Sequence, residues 1–170
     1  NSSLWRSPRF YVHGGTGKQM GRGDLIGKVW IADFIFTRCQ GMCPMLSGRM
    51  AALQTELSNP GIKLVSFTVD PEYDTPQVLS EYAVRYGAQA NKWFFLTGDR
   101  EATWNFITEG FSLGVAEAAP EDLAAGAEPV MHTSRFALVD REGRIRGYYD
   151  SSEPSKVKEL VEAALELARG

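Results

Sequence analysis

The chain has 170 residues, 44% hydrophobic and 23% charged, with a formal net charge of −3. That length favours one domain around a single sizeable core, and the absence of any Lys/Arg run argues against a nucleic-acid partner. No stretch approaches about 18 consecutive apolar residues, so nothing in the sequence reads as a membrane span.

The polar opening NSSLWRSP (residues 1–8) reads as a tether ahead of a domain over residues 9–170. A signal or membrane anchor preceding Asn1 is compatible with that start. RFYVHGGTGKQM predicts a short hairpin, its Gly14-Gly15-Thr16-Gly17 turn tolerating positive φ. VWIADFIF, residues 29–36, is a nearly continuous apolar run of strand length, as expected where both faces of a strand are covered. From Pro44 the pattern becomes helical, with Met45, Leu46, Met50, Leu53 and Leu57 at three- and four-residue steps. Asn59-Pro60-Gly61 stops it.

KLVSFTV, residues 63–69, predicts a second buried strand. In DTPQVLSEYAVRYG, Thr75 is the expected N-cap, Pro76 the first helical residue and Gly87 the C-terminal cap. WFFLT (93–97) predicts a third strand, and Asp99 can cap a helix to about Glu109. The Ala-rich acidic stretch AEAAPEDLAAGAEPV fits either a loop or a marginal helix. RFALV and IRGYY, joined by DREGR, predict an antiparallel hairpin. A terminal helix starts near Ser152 and Pro154, with Val157, Leu160, Val161, Ala164 and Leu165 on one face.

The order is hairpin, β-α-β-α-β-α, then β-β-α. Right-handed crossovers place helices against both faces of such a sheet. The fold class is therefore α/β, a thioredoxin-like mixed sheet flanked by helices, with an added N-terminal β-hairpin.

The chain's only two cysteines, Cys39 and Cys43, fall in FIFTRCQGMCPMLSG, directly after a strand and at the start of a helix. A pair this close closes too short a loop to stabilise the fold much, so chemistry explains it better than stability. Strand C-termini form the usual crevice of an α/β sheet, and a helix N-terminus favours the thiolate. Residues i and i+4 lie about 6 Å apart at Cβ on a regular turn. A disulfide needs roughly 3.5–4.5 Å, whereas two sulfurs on one metal tolerate a wider mouth. The spacing leans towards metal and leaves redox chemistry open.

Two thiolates call for a further ligand, and the chain has only His13 and His132. His132 precedes the closing hairpin, whereas His13 sits beside a glycine turn and reads as solvent-facing. One imidazole with two thiolates suits Cu(I), and the imidazole also accommodates Cu(II). Taken alone, His132 reads as an ordinary hydrogen-bonded histidine more readily than as a ligand. Met42, Met45 and Met131 flank the proposed site; Met42 is the best auxiliary thioether, while Met45 fits the apolar helical stripe. Asp70 could accept a hydrogen bond from His132 and orient it, or could simply be a turn residue before Pro71. The Phe and Trp residues read as core.

The stretches DLIGKVWIADFIFTRCQGMCP, VSFTVDPEYDTPQVLSEYA, WFFLTGD and MHTSRFALVDREGRIRGYYD resemble, in order, the Sco/SenC family of copper chaperones for cytochrome c oxidase. They cover most of residues 24–150. The resemblance implies a thioredoxin-like fold, and copper bound by Cys39, Cys43 and His132. It also implies delivery to the dinuclear copper site of an oxidase subunit, with another copper chaperone or a thiol reductant as a further partner. Family members are held by an N-terminal helix and face the periplasm or the mitochondrial intermembrane space. Residues 115–130 match no family motif, and Thr133-Ser134 stands where thioredoxins carry a cis-proline beside their active pair. The alternative function is a thiol-disulfide oxidoreductase that reduces the cysteines of the oxidase copper site. It would use Cys39 and Cys43 catalytically and depend much less on His132.

Overall fold

The computed structural model describes residues 10–13, 19–20, 22–38, 42–107, 111 and 134–169; for residues 10–13, 19–20, 22, 42 and 102 it describes the backbone alone. The central strand β3 (Val29–Ile35) is buried at every position, which is why its sequence shows no polar alternation. It pairs in parallel with β4 (Ile62–Thr68), from Val29↔Ile62 to Ile35↔Thr68, and β4 pairs in parallel with β5 (Trp93–Thr97). On the other side, β6 (Arg135–Val139) runs antiparallel to β3, and β7 (Ile145–Asp150) antiparallel to β6. Two short strands, β1 (Phe10–His13) and β2 (Gln19–Met20), extend the β5 edge, giving the order β2-β1-β5-β4-β3-β6-β7. Residues 14–18, which would make β1 and β2 one hairpin, lie outside the described residues.

The sheet's two faces carry different chemistry. One presents Trp30 and Phe34 of β3 and Phe67 of β4, which pack with Phe106 and Phe111 at ring-centroid distances of 5.0–6.2 Å. Each buried ring of this kind contributes roughly 1.5–3 kcal/mol. Helix α4 (Arg100–Asn105) leads into this cluster. The opposite face presents Ile31, Asp33, Ser66 and Phe95. Against it lie α2 (Met42–Glu56) and α3 (Pro76–Arg85), linked by a hydrogen bond of 2.7 Å between Ser47 and Tyr82. Tyr82 meets Phe95 edge-on. The terminal helix α5 (Pro154–Arg169) buries Leu160, Val161 and Ala164.

Local signals explain the boundaries. Thr75 caps α3 by accepting from the Val78 N–H at 3.3 Å, and Pro76 opens the helix. Gly87 follows the capping residue Tyr86 with φ +70°, a conformation only glycine adopts freely. Two details depart from expectation, an extra short helix and the exposure of Met45, and two helix ends are drawn more sharply. A short helix α1 (Arg22–Leu25) precedes β3. α4 runs to Asn105 and continues as a wider turn through Phe106 and Ile107, and its expected end near Glu109 lies outside the described residues. α5 starts at Pro154, because Ser152 instead donates from its N–H and Oγ to Asp150 Oδ1, at 2.9 and 2.7 Å. Met45 is exposed rather than part of the apolar stripe: Leu46, Met50, Leu53 and Leu57 form the buried face, and Met45 stands about 100° off it.

Candidate functional site

The site is built where β3 ends. The last ladder bond between β3 and β4 runs from Val69 N–H to Ile35 O at 2.8 Å. Beyond it the chain turns through Thr37 and Arg38 towards Cys39, and α2 begins at Met42. Cys43, the second residue of α2, is fully buried in the core beside Leu46 and Met50. Cys43 stands in the first turn of that helix, where unpaired backbone N–H groups favour a thiolate.

Two layers of polar contacts hold this turn against the loop that follows β4. The inner layer centres on Asp74, which is fully buried. Its Oδ2 accepts from the Thr37 N–H at 3.1 Å and from Thr68 Oγ1 at 2.6 Å, and its Oδ1 accepts from Thr37 Oγ1. Thr68 Oγ1 in turn accepts from the Asp70 N–H at 3.0 Å, and the Asp74 N–H donates to Asp70 O at 2.9 Å. Burial pushes the Asp74 carboxyl above its ordinary value, while the Thr37 and Thr68 donors pull it back. The outer layer is Arg38, whose Nε and Nη2 both donate to Asp70 Oδ2, at 3.0 and 2.8 Å. Its guanidinium also stacks 4.4 Å from the Tyr73 ring. Partial burial raises the Asp70 carboxyl, and Arg38 opposes the rise. Trp104 Nε1 donates to Val69 O at 2.9 Å, tying α4 to the end of β4.

Below the turn, in mid-strand, Asp33 is fully buried. Its Oδ1 accepts from Ser66 Oγ at 2.5 Å, and Ser66 Oγ accepts from Trp93 Nε1 at 3.0 Å. Its Oδ2 has no hydrogen-bond partner among the described residues. Burial pushes its carboxyl up to about 7, opposed by the single Ser66 hydrogen bond and a backbone contact.

Of the residues that the sequence nominates, Cys43, Asp70 and Met45 are described in full. Cys39, His132 and Met131 lie outside the described residues, as do the side chains of Met42 and His13. Among the described residues, accordingly, no group of three His, Cys, Asp or Glu side chains forms a metal cage. Asp70 takes Arg38 as its described partner. The backbone enters β6 from Ser134 at the C-terminal end of β3, since Ala137 already pairs with Ala32 and the strands run antiparallel. Sequence reasoning missed Asp33, Asp74, Thr37 and Arg38. One signal was present: Asp33 is the lone charge in an apolar run, and a buried unpaired carboxyl is rare enough to question.

Comparison with known proteins adds to this geometry. The SCO1/SenC family model matches residues 6–167. The chain is similar to a SCO1/SenC family lipoprotein of Bacillus anthracis str. Ames, at 31% identity and a TM-score of 0.81, covering 98% of this chain and 96% of that one. It is similar to BsSco, described as a member of the Sco family of cytochrome c oxidase assembly proteins with a disulfide switch; identity is 30%, TM-score 0.78, and coverage 97% and 94%. Copper-bound ScoI of Arabidopsis thaliana matches at 25% identity and a TM-score of 0.71, over 95% and 97% of the two chains.

Proposed function

The chain belongs to the SCO1/SenC family, and from that premise we propose that it is a copper-binding metallochaperone acting in cytochrome c oxidase assembly. Cys39 and Cys43 hold the ion as thiolates, and His132 completes the shell through one ring nitrogen. The observation that carries the reading is Cys43, buried in the first turn of α2 at the end of the central strand. The entry of β6 beside that strand end adds support for a ligand from the segment just before it. The copper-bound ScoI relative supports copper as the cargo.

A soft donor set of this kind suits Cu(I). Binding needs thiolate and neutral imidazole, so loading releases protons and weakens in acid. Delivery follows by ligand exchange, donors of the acceptor replacing these one at a time, and the acceptor is the dinuclear copper site of the oxidase. We place the domain on the extracytoplasmic face of a membrane, or in the intermembrane space if mitochondrial, held by an N-terminal anchor; the lipoprotein relative supports membrane association. Among the described residues no helix is long and apolar enough to cross a membrane. The disulfide switch of BsSco favours one second reading, in which Cys39 and Cys43 reduce the acceptor's cysteines.

Anaerobic Cu(I) titration of the reduced protein against a competing chelator separates the two. Stoichiometric tight binding in wild type, with affinity lost by a factor of about ten or more in both His132→Ala and Cys43→Ser, is expected. Equal affinity in wild type and His132→Ala removes the third ligand, and metal-free disulfide turnover promotes the second reading.

A further inference from the structure

The ladder between β3 and β4 stops at Ile35, yet the backbone stays fixed for two residues more. Thr37 has no strand partner for its N–H, and the Asp74 carboxylate takes that place at 3.1 Å. The same carboxylate accepts both threonine hydroxyls, so three donors from two chain segments converge on one fully buried group. Asp74 is itself held, because its N–H closes the loop onto Asp70 O at 2.9 Å. Burying three donors and an acid where apolar side chains could fill the space is a costly way to gain stability alone. Its distinctive product is a single geometry, since a fully satisfied polar network admits few alternatives.

We propose that Asp74 is the positioning residue of the dithiol turn: its carboxylate clasps Thr37 to Thr68 and thereby fixes the backbone that leads from β3 into Cys39. The proposal rests on the copper-site reading above. It adds a residue that acts through the backbone of Thr37 rather than as a copper ligand. A relaxed turn would hold Cys39 in several places, and copper affinity falls when one ligand must be ordered on binding.

Three variants test it, each checked for folding by circular dichroism. Asp74→Asn keeps the shape but replaces one acceptor oxygen with a donor; Thr37→Val removes the hydroxyl; Thr37→Ser retains it. Gln54→Ala serves as the control, since Gln54 bridges α2 to Gly87 O and the Gln89 N–H at 3.1 and 2.8 Å, away from the turn. In Cu(I)–chelator competition, Asp74→Asn should lose about tenfold in affinity and Thr37→Val severalfold, with Thr37→Ser within about twofold of wild type. In metal-free reduced protein, the iodoacetamide alkylation rate of Cys39 should change in the same order. Gln54→Ala should lose stability and leave both readouts alone. Folded Asp74→Asn or Thr37→Val with wild-type affinity and alkylation rate overturns the clasp, and so does an equal loss in Gln54→Ala. If Asp74→Asn does not fold, the two Thr37 variants decide. Failure of wild type to bind copper at all sinks the copper reading instead, and the alkylation series still decides the clasp.

Discussion

Asp33 and Asp74 are both fully buried carboxyl groups on the same side of one domain, and they behave as different chemical objects. Asp33 sits in mid-strand, where the ladder uses the neighbouring backbone groups and only the Ser66 hydroxyl remains to donate. Asp74 sits in a loop flanked by threonines from two segments, and three donors meet it. Three donors on two oxygens pull the Asp74 carboxyl back from the rise that burial causes, without cancelling it. One donor does not offset the loss of water, and the Asp33 carboxyl rises to about 7. Depth is therefore a poor guide to the charge of a buried acid. The supply of donors tempers the rise that burial causes, and that supply follows from whether the residue stands in a strand or beyond its end.

The largest test of this contrast is deletion. Asp74→Ala leaves the Thr37 N–H and two hydroxyls without their acceptor in a largely buried site, and should cost about 3 kcal/mol or more in urea unfolding at pH 7. A loss below about 1 kcal/mol would mean that water replaces the carboxylate, and the inner layer would then resemble a surface contact.

A smaller effect of opposite sign is expected at Asp33. Its folded-state pKa of about 7 lies above its ordinary 3.8. Between those values the folded chain holds a proton that the unfolded chain has released, so this group's contribution to stability falls as pH rises from about 4 to 7. Asp33→Asn removes that loss. The variant should be more stable than wild type by an order of 2 kcal/mol at pH 8 and show no gain at pH 4. Thermal midpoints measured across that range check it; parallel pH profiles would show that the buried acid keeps its ordinary pKa.

The same contrast marks what the sequence could reveal. The sheet was legible because burial writes itself into periodicity: VWIADFI, all but the last residue of the apolar run, became a strand buried at every position, and Thr75-Pro76 became the start of α3. Cys43 could be placed at the head of a helix for the same local reason. Its complete burial, and the exposure of its neighbour Met45, depend on which helical face meets the sheet. Asp74 and Thr37 stand 37 residues apart, and Asp33 and Ser66 stand 33 apart. No window of local pattern spans those distances. The strand order has the same character, since β6 pairs with β3 rather than with β5, the strand that precedes it in the chain, a choice made by tertiary packing.

The smallest expected effect concerns the outer layer. Arg38 is about half exposed and presents both nitrogens to one oxygen of Asp70, rather than spreading a two-pronged pair over both. Such a pair gains little over its hydrated partners, and its stack on Tyr73 lies at the surface. Arg38→Ala should therefore cost less than about 1 kcal/mol, and less again in about 1 M salt, where the screening length is only about 3 Å. Because Arg38 opposes the rise of the Asp70 carboxyl, that group should titrate higher in the variant, which carboxyl NMR can follow. If Arg38→Ala instead cost as much as Asp74→Ala, the guanidinium would be holding the turn from outside. The buried clasp would then be a by-product of that contact, and the division between a partnered and a starved buried acid would no longer explain which residues shape the site.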